Sequence, residues 1–173
     1  MVILKSNLSD IDSLFALYDE ATAYMKQFTT TYWRGFERSL VETEIKEGRQ
    51  YKIVENGQIA CVFVITFNDA TIWQEADADQ AIYIHRIATN RSFSGNNYVQ
   101  QIVNWAIAYA LEKGKDFVRL DTGADNEKIN TYYQNCGFTF KGVTGITYTD
   151  DLPEHYKGGK FSLFEIDLKT LKP

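Results

Sequence analysis

Residues 81–138 read AIYIHRIATNRSFSGNNYVQQIVNWAIAYALEKGKDFVRLDTGADNEKINTYYQNCGF. This stretch predicts a strand, a polar turn that contains Gly95, a long helix, a second strand and a shorter helix. A polar, glycine-containing turn at the start of a helix is a setting in which nucleotide phosphates bind. We therefore expect the function of the chain to reside in this stretch.

Five elements are predicted before it. A strand over Val2–Lys5 precedes a helix that begins at Ser9, with Ser9 as its N-cap and Asp12 in the capping-box position. Asn56-Gly57 suits the two-residue turn of a hairpin, because both residues tolerate positive φ. Asn68–Gln80 is polar and acidic and is expected to be a loop. The second helix and the two hairpin strands are predicted over Phe36–Lys46, Gln50–Val54 and Ile59–Phe67.

The remaining elements complete a mixed α/β chain. Asp125 or Asn126 opens the shorter helix, which Gly137 ends. The order β-α-α-β-β-β-α-β-α-β-β predicts one largely antiparallel sheet with a parallel section in the middle and helices on its faces. We expect residues 1–173 to form a single domain. The other predicted ranges are Ala81–Ala88, Asn96–Lys113, Phe117–Leu120, Phe138–Val143 and Phe161–Leu168.

Composition narrows the class of protein. Apolar residues make up 45% and aromatic residues 14% of the chain, which is typical of a packed globular protein and not of a disordered one. Eighteen Lys and Arg against 23 Asp and Glu give a net charge of −5. This acidity argues against nucleic acid as a partner, since nonspecific binding of nucleic acid needs a basic surface.

The cysteines and the apolar runs predict a cytoplasmic location. Cys61 and Cys136 lie in apolar patterns and have neither disulfide nor metal spacing, so we expect two buried thiols and no metal. The N-terminus does not have the pattern of a signal peptide. The longest apolar run, Ile59–Phe67, is too short to span a bilayer, so no membrane partner is expected.

Several motifs resemble the GNAT superfamily of N-acetyltransferases. Residues 84–89 read IHRIAT and lead into FSGNNYV at 93–99; LDT follows at 120–122. Asn126 then precedes Tyr133 by seven residues, and Tyr133 precedes Gly137-Phe138 by four. The family shows a similar strand, a glycine-rich turn, a short second strand and the pattern N-x₆-Y-x₃-G-F. The resemblance implies the GNAT-like acyl-CoA N-acyltransferase fold.

The turn departs from the family pattern. Ser94 stands at the usual Arg or Gln, Asn97 at the first glycine and Val99 at the glycine or alanine; Gly95 is a frequent but not a defining glycine. Asparagine tolerates unusual φ, so Asn96 and Asn97 would permit a similar turn. Val99 would be a tight fit if its position faces the ligand.

The resemblance implies that acetyl-CoA is the co-substrate. Backbone amides of 95–99 would hold its pyrophosphate at the start of the long helix, and an ordinary polar loop is the alternative. Groups of Ile87 and Thr89 would pair with the pantetheine arm, and Asn126 would bind the arm, cap its helix, or do both. The candidate cofactor-binding residues are Ile87, Ala88, Thr89, Ser94, Gly95, Asn96, Asn97, Tyr98, Val99, Asn126 and Tyr133.

The candidate catalytic residues are Tyr133, His85 and Tyr83. By family analogy the phenol of Tyr133 would protonate the departing thiolate; its alternative role is that of a core tyrosine. His85 would take the proton of the amine, directly or through water, unless it is structural. Strand alternation puts Tyr83, His85, Ile87 and Thr89 on one side of the strand.

The acceptor is expected to be a small amine or a peptide amine, either an N-terminus or a lysine. Tyr32, Trp33, Tyr148 and Tyr156 are the candidate substrate-binding residues, with simple packing as their alternative role. Two other functions stay open: a non-catalytic GNAT-like module that binds a ligand or partner with impaired CoA binding, and an enzyme that uses another acyl-CoA. The oligomeric state is open too, with a homodimer among the alternatives.

Overall fold

The fold is seen in a computed structural model that describes residues 2–146, 150 and 157–171. The strands are β1 (Val2–Lys5), β2 (Gln50–Glu55), β3 (Gln58–Thr66), β4 (Ala81–Thr89), β5 (Phe117–Gly123), β6 (Thr139–Gly145) and β7 (Lys160–Asp167). The helices are α1 (Ile11–Met25), α2 (Arg38–Lys46), α3 (Ala70–Trp73), α4 (Tyr98–Glu112) and α5 (Glu127–Asn135). In the described part of the chain, no helix is both long and apolar enough to cross a membrane.

The described strands form one mixed sheet in the order β1-β2-β3-β4-β5-β7-β6. β4 and β5 are parallel and the other neighbours are antiparallel, so the predicted sheet is confirmed. The predicted hairpin turn is also confirmed, because Asn56 and Gly57 have φ of 51° and 76°.

Two clusters of buried residues lie on opposite sides of the sheet. The larger one packs α4 and α5 against β2–β5 and β7, with Ile102, Ala106 and Tyr133 among its members. The second packs α1 and α2 against the sheet through residues such as Leu14 and Val41. Both cysteines are buried and free, as expected. The sheet is therefore covered on both faces, as its apolar central strands require.

Three local predictions are wrong. Asn7, not Ser9, caps the first turn: its side chain accepts from the Ser9 backbone N–H at 2.9 Å, and the Asp10 carboxylate closes the capping box in place of Asp12. The predicted loop over Asn68–Gln80 contains α3 and a 3₁₀ turn. The second helix begins two residues later than predicted, since the aromatic side chain of Phe36 packs against the α1–α2 cluster before the helix starts.

Candidate active site

A β-bulge in β4 shapes the centre of the molecule. Val62 of β3 pairs with Ala88 and Val64 pairs with His85, so β4 has one extra residue between these two pairs. Arg86 lies in the bulge with φ of 49°, a left-handed conformation that is uncommon for a side chain of this size. The bulge bends the strand and changes which face its side chains point to.

The bulge overturns the predicted alternation along β4. Tyr83 packs with Trp73 on one face of the sheet. Ile87 packs into the core under α4 on the other face, where the Thr89 hydroxyl also lies 3.4 Å from Cys61 Sγ. The prediction that Tyr83, His85, Ile87 and Thr89 share one side is wrong, because the extra residue reverses the alternation.

β4 and β5 separate beyond a short parallel contact. Only Ala81–Tyr83 pairs with Phe117–Arg119, so residues 84–89 of β4 have no partner on β5. A cavity of about 750 Å³ opens at the gap, a size within the usual range of ligand sites. Its walls include Ile84 and Leu120, which belong to the α4 face, and His85, Arg86 and Asp121, which come from the opposite side.

The start of α4 forms one end of the cavity. Gly95 has φ of +90° and Asn97 lies in the left-handed region at φ 52° and ψ 39°. The prediction of an asparagine with unusual φ is confirmed at Asn97 and not at Asn96. No side chain of the described residues caps α4, so its first backbone N–H groups remain available to an anion.

Tyr98 and Val99 anchor this end to the core. Only 8% of Val99 is exposed, and it packs in the cluster under α4 while one side reaches the cavity wall. The Tyr98 hydroxyl donates a hydrogen bond to the Glu55 carboxylate of β2. Asn96 donates to the Phe93 carbonyl at 3.1 Å and closes the turn. Three of the non-glycine residues of the turn therefore have structural roles.

Tyr133 and Asn126 reach the cavity from α5. The Asn126 side chain caps α5 by accepting from the Ile129 N–H at 3.2 Å, so its capping role is observed. The Tyr133 ring packs against Phe138 and Phe164, with centroid distances of 6.2 and 5.6 Å. Its hydroxyl has no hydrogen-bond partner among the described residues, although the ring lines the cavity. Burial, reinforced by nearby negative charge, raises the pKa of this phenol above its ordinary value.

His85 lies in the cavity wall, whereas Tyr83 does not. His85 Nε2 lies 2.9 Å from the Thr66 hydroxyl. Burial, with the positive charges of Arg86 and Arg49, lowers its pKa to about 4. The imidazole is thus uncharged and weakly basic at neutral pH.

Tyr83 is buried, and its hydroxyl accepts a hydrogen bond from the Arg119 guanidinium at 3.3 Å, so it makes a structural contact.

Residues 29–36 form a strap across the gap. At one end the Thr29 hydroxyl and the Thr30 N–H donate to the Asp125 carboxylate at 2.5 and 2.8 Å. At the other end Phe36 lies 4.7 Å from the Arg86 guanidinium. Trp33, between them, packs edge-on to Tyr18. The strap therefore joins the segment after β5 to the bulge of β4.

The predicted substrate residues divide between the strap and the undescribed part. Tyr32 and Trp33 lie on the strap and line the cavity. Tyr148 and Tyr156 lie outside the residues that the structure describes.

Comparison with known proteins gives the family of the chain. The model of the acetyltransferase (GNAT) family matches residues 11–138, about three quarters of the sequence. The chain belongs to this family. Its members use acetyl-CoA, so this GNAT chain is an acetyl-CoA-dependent acyltransferase, as the resemblance implied.

Individual relatives agree with the family. The uncharacterized N-acetyltransferase YesJ of Bacillus subtilis is 22% identical over 147 residues, 80% of this chain and 82% of that protein. A GNAT-family acetyltransferase of Listeria monocytogenes has 25% identity and a TM-score of 0.74, covering 96% of this chain and 94% of that one. The acetyltransferase yncA of Salmonella typhimurium, solved with its cofactor acetyl-CoA, has 13% identity and a TM-score of 0.69; the coverage is 97% and 94%. The GNAT fold is therefore confirmed.

The GNAT chain also holds two site residues that the sequence did not predict. Asp121 of β5 lines the cavity, and the carboxylate oxygens of Asp69 and Asp121 and a ring nitrogen of His85 lie within 4.8 Å of one another. Burial raises the pKa of Asp121 to about 8 and that of Asp69 to about 6. A charged residue after Leu120 in a buried-type strand was the available signal for Asp121. The sequence gives no such signal for Asp69, because this residue lies in a polar segment.

Proposed function

We propose that the protein transfers the acetyl group of acetyl-CoA to a primary amine by direct attack in a ternary complex. One observation carries the proposal: a single cavity joins the uncapped start of α4, the Tyr133 ring and the opposite side of the gap between β4 and β5. Two substrates that enter from opposite faces would meet in this gap, and their proximity supplies much of the rate. We also propose that residues 1–173 act as one acetyltransferase domain.

The cofactor side has the groups that acetyl-CoA requires. The backbone amides of 95–99 have no competing cap from a described side chain, so they suit the pyrophosphate. Backbone groups of 87–89 lie on a strand segment that has no partner on β5, so they can pair with the pantetheine arm as an added strand would. Asn126 can hold the same arm through its amide group, because only its oxygen is used in the cap.

Tyr133 is the proposed acid. The raised pKa keeps its phenol protonated at neutral pH, and the hydroxyl is not engaged by another described residue. It can therefore give its proton to the departing sulfur, while a strand backbone N–H polarises the thioester carbonyl. Both cysteine thiols are buried with raised pKa, to about 11 for Cys61, so neither offers a thiolate for a covalent route.

The acceptor is a small amine or a peptide amine. Tyr32 and Trp33 of the strap supply an aromatic wall on the acceptor side, and Tyr148 and Tyr156 stay predicted contacts. His85 is part of this wall and, through its hydrogen bond to Thr66, can position the amine nitrogen. Because its pKa is low, His85 is a weak base, and another group is needed to take up the proton of the amine.

Calorimetry with acetyl-CoA and a CoA-release assay with a panel of primary amines test the proposal together. We expect saturable binding of acetyl-CoA and release of CoA that depends on both enzyme and amine. Binding without turnover for every amine of the panel would support the non-catalytic module instead. An absence of binding at millimolar acetyl-CoA would contradict the cofactor assignment.

A further inference from the structure

Asp69 and Asp121 form an acidic pair on the acceptor side of the gap. Oδ2 of Asp69 is buried and has no hydrogen-bond partner among the described residues, while Oδ1 accepts only a long bond of 3.4 Å from the Ile72 N–H. The Asp121 carboxylate accepts from no side chain in the described part of the chain, and it lines the cavity. Unpaired carboxylates of this kind are costly to bury unless a cation or a proton reaches them.

The charges around the pair leave it without a cation. Arg86 is paired with Glu44, which also contacts Arg49. Arg119, next but one to Asp121 on β5, is bound by Asp79 and Glu165 at 2.6 and 2.8 Å.

The remaining neighbours of the pair are neutral or negative. Asp77 accepts from the backbone N–H of Asp69 at 2.6 Å, and His85 is uncharged. Tyr133, on α5, has its phenol protonated, because burial and the charge of Asp121 raise its pKa. The residue opposite Asp121 on β7 is the apolar Leu163. Among the described residues, the cation that would complete the pair is therefore absent from the protein itself.

We propose that Asp69 and Asp121 receive the ammonium group of the acceptor and that Asp121 takes up its proton before the attack. The proposal rests on the proposed function and specifies its acceptor. An ammonium nitrogen placed among the two carboxylates and the His85 ring would have three polar neighbours within one small space. Asp121 and His85 line the same cavity as Tyr133, where the thioester is expected.

The aromatic side chains of the strap indicate which kind of chemical group is attached to the acceptor amine. Trp33 and Phe36 cross the gap between Asp125 and Arg86, and Phe161 lines the cavity on the same side as the pair. Aromatic side chains bind apolar and aromatic bodies with large contact areas. The acceptor class is therefore a primary amine that is cationic in solution and has an aromatic or similar apolar body.

The transfer of protons balances. Asp121 acts in its ionised form, which the neighbouring ammonium favours. The ammonium N–H bond breaks and its proton forms an O–H bond on the Asp121 carboxylate, which leaves a neutral amine. The nitrogen lone pair forms the C–N bond to the acetyl carbon, the C–S bond breaks, and the sulfur receives the proton of Tyr133. The Tyr133 phenolate then removes the second proton from the nitrogen. Asp121 returns its proton to solvent, and the net products are the amide, CoA and one proton.

Two acceptor probes separate proton uptake from packing. Benzylamine is protonated at neutral pH, whereas O-benzylhydroxylamine is a neutral nucleophile of similar shape. For Asp121→Asn we expect kcat with benzylamine to fall about 100-fold or more, because the general base is lost. With O-benzylhydroxylamine the fall should be about tenfold or less, since this probe arrives without the proton. Asp69→Asn should raise KM for benzylamine more than KM for the neutral probe.

Asp19→Asn is the matched control, because it removes one carboxylate from an exposed position of α1. Equal losses with both probes in Asp121→Asn would overturn the proposal and leave Asp121 a packing role. A wild type that acetylates other amines but not benzylamine would overturn the acceptor class. A loss of activity in EDTA that added divalent metal restores would assign the pair to a metal and also overturn it. A wild type that acetylates no amine at all would instead overturn the proposed function.

Discussion

Tyr133 is buried to 92% and yet its hydroxyl makes no hydrogen bond within the described part of the chain. Replacing it by phenylalanine removes one oxygen and leaves the ring packing against Phe138 and Phe164 intact. We expect Tyr133→Phe to lower kcat by about 10²- to 10⁴-fold, because the acid for the leaving sulfur is lost. The Kd for acetyl-CoA should stay nearly unchanged. Steady-state kinetics and calorimetry measure the two effects.

Tyr132 supplies the control for this variant. It also lines the cavity, but it is only partly buried and stands one helical position away. Tyr132→Phe should keep most of the turnover. If both variants retain wild-type kcat, Tyr133 has no part in the chemistry and its role is that of a core residue.

The residues of the site differ in how far the sequence reveals them. Asn126, Tyr133 and Gly137 belong to one short helix, so their spacing is local and visible in the chain. Asp69 lies 52 residues before Asp121, and only the tertiary fold brings their carboxylates together. Neither the composition of the chain nor the spacing of its residues predicts this long-range contact.

At the scale of elements, the first turn of α4 depends on Asn97. A left-handed backbone at φ 52° is tolerated by Asn and Gly but strained for a β-branched residue. We expect Asn97→Val to destabilise the fold by about 1–2 kcal/mol. The melting temperature should fall by about 3–6 °C. The Kd for acetyl-CoA should rise about tenfold, since the amides of the turn would be misdirected.

Asn97→Gly is the matched variant, because glycine adopts this conformation without strain. It should bind acetyl-CoA as the wild type does, measured by calorimetry and thermal denaturation. If the valine variant also binds normally, the backbone of this turn does not hold the pyrophosphate.

The elements were predictable where the pattern is local. The apolar run of β3, the Asn56-Gly57 turn and the apolar face of α4 each appear in a few consecutive residues. The bulge at Arg86 does not: it appears as a register shift between β3 and β4, and Arg86 is held in it by distant residues, through packing against Phe36 and an ion pair with Glu44. One extra residue was enough to move Ile87 and Thr89 to the other face.

For the whole molecule, the raised pKa of the Asp121 carboxyl makes the stability of the fold depend on pH. Asp121 titrates at about 8 in the fold and at 3.8 by its ordinary value, so between these limits the native state binds more protons than the unfolded state. The free energy of unfolding therefore falls as pH rises. His85, lowered from 6.5 to about 4, acts in the opposite sense, but only below pH 6.5.

Between pH 6.5 and 8, therefore, the titration of Asp121 affects stability and that of His85 does not. We expect the wild-type free energy of unfolding to fall by about 1–2 kcal/mol across this window, and Asp121→Asn to lose that fall. Urea denaturation at both ends of the window measures the difference. Asp19→Asn should keep the wild-type slope; a slope of equal size in Asp121→Asn would show that the burial of Asp121 does not govern it.

The gap between β4 and β5 also divides the sheet mechanically. Strands β1–β4 form one block and β5–β7 another, and the two blocks share three residue pairs, fewer than the four to seven observed at the other strand junctions. Residues 2–5 lie in the first block and residues 160–167 in the second. Tension applied between these two segments passes through the short parallel contact, through the strap of residues 29–36, and through the helix α4 that packs beside both strands. The molecule is therefore weakest under load along the line where its substrates are proposed to meet.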